Sequence, residues 1–125
     1  MAEHLHTDKA PAAVGPYSQA VKANGFLFPC GQLGLVPETG ELAGPDVASQ
    51  AEQSFKNLIA VLENAGLTEA NVVKATVYFA DMGDFDEVNK IYARYFPSKP
   101  ARTGVAVKTL PKNALIETEI IAAYE

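Results

Sequence analysis

A chain of 125 residues, 48% hydrophobic and 20% charged, fits one domain spanning residues 1–125 and is long enough to bury a core. Its formal net charge of −5 argues against a nucleic-acid binder, which needs a basic face, but not against a small basic pocket for an anion. One cysteine, Cys30, rules out an internal disulfide framework and a Cys-rich metal site. No apolar run approaches the roughly 18 residues of a membrane span and no signal peptide is visible, so a reducing, cytoplasmic setting away from membranes is the simplest expectation.

Residues 1 to 10 are polar and are expected to be loose, with His4 and His6 read as tail residues and not metal ligands. Pro11, Gly15 and Pro16 force an irregular, extended path, and Tyr17 comes right after the bend, where a packing role is the plain reading. Ser18 to Ala23 reads as a strand. Asn24-Gly25 is a two-residue hairpin signal because both turn positions favour positive φ, and Phe26 to Cys30 is the returning strand. Gly31 and Gly34 flank Gln32-Leu33. They mark either a close backbone approach or a β-bulge. Pro37 to Gly40 is a second turn.

Asp46 is placed to cap a helix over Val47–Ala65, with Ala51, Phe55, Leu58, Val61 and Leu62 at helical spacing and Gly66 as the stop. Val73, Ala75, Val77 and Phe79 alternate with Val72, Lys74, Thr76 and Tyr78, the pattern of a half-buried strand. Asp84 and Glu87 have capping-box spacing for a second helix. Phe85, Val88, Ile91, Tyr92 and Tyr95 form its buried face, and Pro97 and Pro100 end it. Asn89 lies off that face and reads as a solvated helix residue. Thr103 to Lys108 is a strand, residues 110–113 a turn, and Leu115 to Tyr124 the last strand. The order β-β-α-β-α-β-β predicts an α+β layer: a mixed β-sheet with two helices on one face.

Two groups of residues could carry chemistry. Arg102 stands in Pro100-Ala101-Arg102-Thr103-Gly104, a fixed cation at the start of a strand. Alone it would read as a surface charge. Glu117 and Glu119 share one face of the last strand with Leu115 and Ile121. They lie on a wet sheet face or in a pocket with perturbed pKa values.

Taken together, Gly15-Pro16-Tyr17, Cys30-Gly31-Gln32, Pro100-Ala101-Arg102 and Ile116-Glu117-Thr118-Glu119-Ile120 resemble the reactive intermediate deaminase family, RidA or YjgF, over Ala10 to Tyr124. The resemblance implies a chorismate-mutase-like fold, a homotrimer with clefts between subunits, and hydrolysis of 2-imino acids and their enamine tautomers to 2-keto acids and ammonia. It implies that Arg102 grips the substrate carboxylate and Glu119 holds the attacking water. Tyr17 would line the cleft, the backbone around Cys30 and Gly31 would meet the nitrogen, and Asn89 would stand on the cleft side. An imine carbon is already electrophilic, so this chemistry calls for no metal or cofactor.

Two positions depart from the pattern. Gly104 stands where many members have cysteine, and Cys30 where many have serine. Nothing near Cys30 in the sequence activates a thiol. Loss of the usual cysteine at Gly104 keeps a second expectation open, a noncatalytic small-carboxylate-binding or holdase-type member of the same family.

Overall fold

The computed structural model describes residues 2–125. Its elements are β1 (Glu3–Leu5), β2 (Ala20–Ala23), β3 (Phe26–Pro29), β4 (Gln32–Leu33), α1 (Val47–Asn64), β5 (Val72–Phe79), α2 (Phe85–Tyr95), β6 (Ala101–Ala106) and β7 (Ile116–Ala123). The fold is α+β. The sheet runs β1-β2-β3-β7-β5-β6, and β4 pairs with β7 beyond the end of β3. Its pairs are antiparallel except β5 with β6, which α2 connects in parallel.

Both helices lie on one face. Ile116, Ile120 and Ala122 of β7 and Ala75, Val77 and Phe79 of β5 are buried in one core with Phe55, Leu58 and Leu62 of α1 and Val88 and Ile91 of α2. Each large apolar side chain among them contributes about 1.5–3 kcal/mol on leaving water. Asp46 caps α1 as its position implied, its carboxylate accepting from the Ser49 amide at 3.0 Å. The β2–β3 hairpin turns on Asn24 (φ 53°) and Gly25 (φ 78°).

Four local expectations are corrected. From Glu3 on the N-terminal segment is not loose, residue 1 lying outside the described residues: β1 pairs antiparallel with β2, Glu3 opposite Lys22 and Leu5 opposite Ala20. Buried Gln19 then ties down the stretch from Thr7 to Pro11. Its amide nitrogen donates to the carbonyls of Thr7, Ala10 and Pro11, and its oxygen accepts from the Thr7 amide. On β5 a register shift between Val72 and Lys74 buries Val72 and exposes Val73, reversing the expected assignment of those two. Asp84 makes no side-chain cap for α2, because a 3-10 turn at Met82–Asp84 already brings the chain in with helical φ and ψ; Asp81 caps that turn instead. β6 starts at Ala101, so Arg102 sits inside the strand and not before it.

The element order also gains two short strands, β1 and β4. Residues of β4 bond to α1 as well as to β7. Ser54 Oγ donates to the Gln32 carbonyl at 2.8 Å, and Asn57 Nδ2 donates to the carbonyls of Leu33 and Leu35. Buried polar groups at helical spacing thus fix an otherwise irregular stretch. Gly34 allows the approach: a Cβ there would run into the backbone of Gln50.

Candidate active site

Arg102 projects from edge strand β6 on the helix-covered side, in register with buried Ala75. One guanidinium nitrogen donates to Asn89 Oδ1 at 2.8 Å. The guanidinium carbon lies 4.6 Å from the centroid of the Tyr92 ring and 5.4 Å from that of Phe85. Arginine stacks favourably on aromatic faces, and the amide fixes its rotation, so the cation is held with donors to spare. A groove of about 540 Å³ opens beside it, lined in part by Tyr92, Phe96, Lys99 and Pro100. The Tyr92 hydroxyl is buried without a hydrogen-bond partner among the described residues; burial raises its pKa and the Arg102 charge opposes that. A Cβ at Gly104 would meet only ring carbons of Phe79 and Phe85, at 3.5 Å, an ordinary contact. The backbone therefore has no need of glycine there.

A second groove, of about 640 Å³, lies between the Pro11–Tyr17 loop, the stretch from Cys30 to Leu35 and the start of β7. Gln19 anchors the first of these walls, and Ser54 and Asn57 anchor the second. Tyr17, Cys30, Gly31, Lys112 and Glu117 all line it. Tyr17 is 52% exposed and so covers the groove from outside. Burial and the nearby Glu117 charge push the Cys30 thiol up, which keeps it neutral and a poor nucleophile.

The two carboxylates differ. Glu119 accepts a hydrogen bond from the Tyr78 hydroxyl, and that bond, with burial and both glutamate charges, pushes the Tyr78 pKa up to about 12. Tyr78 therefore remains a donor at any physiological pH. Glu117 is half-buried, and its carboxyl oxygens still reach solvent. Burial first, and then the Glu119 charge, raise its pKa. Its Oε2 occupies the space a side chain at Gly31 would take: a Cβ there would stand 2.5 Å away.

The expected site residues thus fall into two groups, with Glu119 outside both. Arg102 and Asn89 touch each other, and Tyr17, Cys30 and Gly31 line one groove with Glu117. Glu119 lies on the open side of the sheet, in register with Thr76, and Arg102 lies on the other side, one residue out of phase with that pair. Sequence reading missed Tyr78, Tyr92 and the groove position of Glu117. Nothing local ties Tyr78 to a residue 41 positions away.

Residues 7–124 match the family model described as Endoribonuclease L-PSP. The chain belongs to this family, the YjgF/RidA family. A relative from Arabidopsis thaliana, Reactive Intermediate Deaminase A, chloroplastic, is 51% identical over 121 residues, covering 96% of this chain and 65% of the relative. The human 2-iminobutanoate/2-iminopropanoate deaminase is 46% identical over 119 residues, covering 94% and 87%. Among solved structures, the YjgF gene product from E. coli superposes with a TM-score of 0.94 at 42% identity, covering 98% of this chain and 99% of that one. E. coli TdcF with bound serine gives 0.94 at 36% identity, covering 98% and 99%. YjgF/RidA membership accounts for the α+β layer, and it includes relatives named as imine deaminases as well as several with only RutC family names.

Proposed function

We propose that this protein hydrolyses reactive 2-imino acids and their enamine tautomers to 2-keto acids and ammonia, in clefts shared between subunits of a homotrimer. The observation that carries the reading is the Arg102 cation, oriented by Asn89 and by two aromatic faces beside an open groove. A planar fork held this way suits a small carboxylate, which it binds through two charge-assisted hydrogen bonds.

Arg102 would orient the substrate carboxylate. Glu119, steadied by Tyr78, would accept a proton from a water as its oxygen bonds to the imine carbon. Backbone around Cys30 and Gly31 would meet the nitrogen, and Tyr17 would close the cleft. Because Arg102 and Glu119 project from opposite sides of one sheet, the reading takes them from neighbouring chains. The open sheet face carries exposed Phe26, Phe28 and Val105, apolar surface a neighbouring chain would cover. A net charge of −5 disfavours a polyanionic substrate such as RNA.

The deciding experiment measures 2-ketobutyrate and ammonia released from 2-iminobutyrate generated in situ, with and without the protein. Acceleration supports deamination. No acceleration, with 2-ketobutyrate still bound, would support the second reading, a carboxylate binder, which the serine-bound TdcF structure favours.

A further inference from the structure

The groove beside Arg102 has two features that the grip on a small carboxylate leaves unused. The first is the Tyr92 hydroxyl. Tyr92 is 6% exposed, and its oxygen is buried with no hydrogen-bond partner among the described residues. A buried polar group left unpaired is unfavourable, and phenylalanine would fill the same place without that cost. Burial keeps the phenol protonated, so it has a proton to donate. The Arg102 guanidinium lies over the same ring, 4.6 Å from its centroid, so both groups border one spot. The second feature is the apolar space beyond that spot. Its walls are Ala93, Phe96, Pro97 and Pro100, and the charged groups lining it are Lys99 and Arg102, with no carboxylate. Neither cation is in an ion pair among the described residues. In a chain of net charge −5, such a place suits an anion. The Phe96 ring packs on that of Tyr92 with centroids 4.8 Å apart, which makes the floor aromatic. At about 540 Å³ the groove has the size of a small-molecule pocket, and a four-carbon acid would leave most of it unfilled.

Resting on the deaminase reading above, we propose that this groove is a side-chain subsite, and that the preferred substrates are 2-imino acids with a large apolar side chain, aromatic ones above all. The carboxylate sits at the mouth of the groove and accepts from Arg102 and from the Tyr92 hydroxyl. A small shift of the guanidinium toward that carboxylate gives the hydroxyl access to it. From there the side chain runs over Phe96 and between Ala93, Pro97 and Pro100, where its apolar surface leaves water. The imine carbon faces away from the groove, toward the neighbouring chain that the reading takes as the source of Glu119.

The test is calorimetric binding of two stable 2-keto acids, phenylpyruvate and 2-ketobutyrate, to wild type, Tyr92→Phe and Ala93→Phe, with oligomer mass and Tm as folding checks. Wild type should bind phenylpyruvate roughly tenfold tighter or more, the gain from burying a phenyl group. Ala93 is on the exposed face of α2, so Ala93→Phe should fold, fill the groove and erase that preference. Tyr92→Phe should weaken both acids roughly tenfold, since one hydrogen bond to a charged group is lost. Its Tm should hold or rise, because the hydroxyl has no partner to lose. Equal affinity for the two acids in wild type, as when a neighbouring chain fills the groove, overturns the subsite. So does a preference that survives in folded Ala93→Phe. Wild-type affinities in Tyr92→Phe would overturn the role of the hydroxyl. A preference for phenylpyruvate without turnover of either corresponding imine removes the deaminase reading and leaves the subsite standing as part of a carboxylate binder.

Discussion

Arg102 and Glu119 project from opposite faces of the same sheet: Arg102 is in register with Ala75 on β5, and Glu119 with Thr76, the next residue. Successive strand residues point to opposite sides, so no side-chain rotation within one chain brings the two together over a small substrate. This one-residue difference in phase sets how the proposed site must be assembled.

Assembly is therefore the first thing to measure. Light scattering should report about three times the 13.3 kDa chain mass at micromolar concentration. A monomer that deaminates would contradict the shared cleft.

Subunit mixing tests the sharing directly. Arg102→Ala and Glu119→Gln should each be nearly inactive. Co-refolded in equal amounts, they should recover about a quarter of wild-type activity, because each mixed trimer contains one interface with both groups intact. No recovery from trimers shown to be mixed would place the two groups in separate roles.

Arg102→Lys should lose the bidentate geometry and Arg102→Ala the charge as well. A hydrogen bond to a charged group is worth about 1.5–3 kcal/mol, so each one lost should lower kcat/KM roughly ten- to a hundred-fold. Tm should change little, since β6 is an exposed edge strand. Full activity in Arg102→Ala would remove the carboxylate grip.

Glu119→Gln should bind 2-ketobutyrate as wild type does while turnover falls by roughly 10²–10⁴. Gly104→Cys should leave turnover within a few-fold, as a Cβ there makes only ordinary contacts and the proposed route uses water. An inactive wild type made active by Gly104→Cys would show that the chemistry needs a thiol.

Glu117 and Gly34 give tests independent of activity. The folded-state pKa of Glu117 lies above the unfolded one, so its contribution to stability is complete at low pH and is lost as pH rises through the folded value. Glu117→Gln should therefore raise Tm near pH 8 relative to wild type and lose that advantage near about pH 4. A lower Tm at pH 8 would show that the ionised carboxylate is stabilising. Gly34→Ala should destabilise by roughly 1–3 kcal/mol in urea titration, because its methyl group meets the rigid backbone of α1.

The periodic elements are legible in local spacing. Hydrophobic spacing, Asp46 and Gly66 bounded α1 to within a residue or so, and Asn24-Gly25 placed the hairpin, because these signals act between residues close in the chain. The motifs around Tyr17, Gly31, Arg102 and Glu119 carried the family. Features that depend on distant partners emerge only once the chain is folded. β1 is ordered by pairing with β2 and by the Gln19 anchor behind it, and β4 by side chains of α1 that lie 22 to 24 residues away. The bulge at Val73 shifts the strand phase, which no alternation in the sequence reveals. The pair Glu117-Glu119 reads as equivalent in sequence. Tyr78 and the space over Gly31, both brought in from other strands and loops, make one a bonded carboxylate and the other a solvent-reaching one. Local rules fix where the chain turns and coils, whereas long-range pairing decides which polar groups are left unpaired and thus free for chemistry.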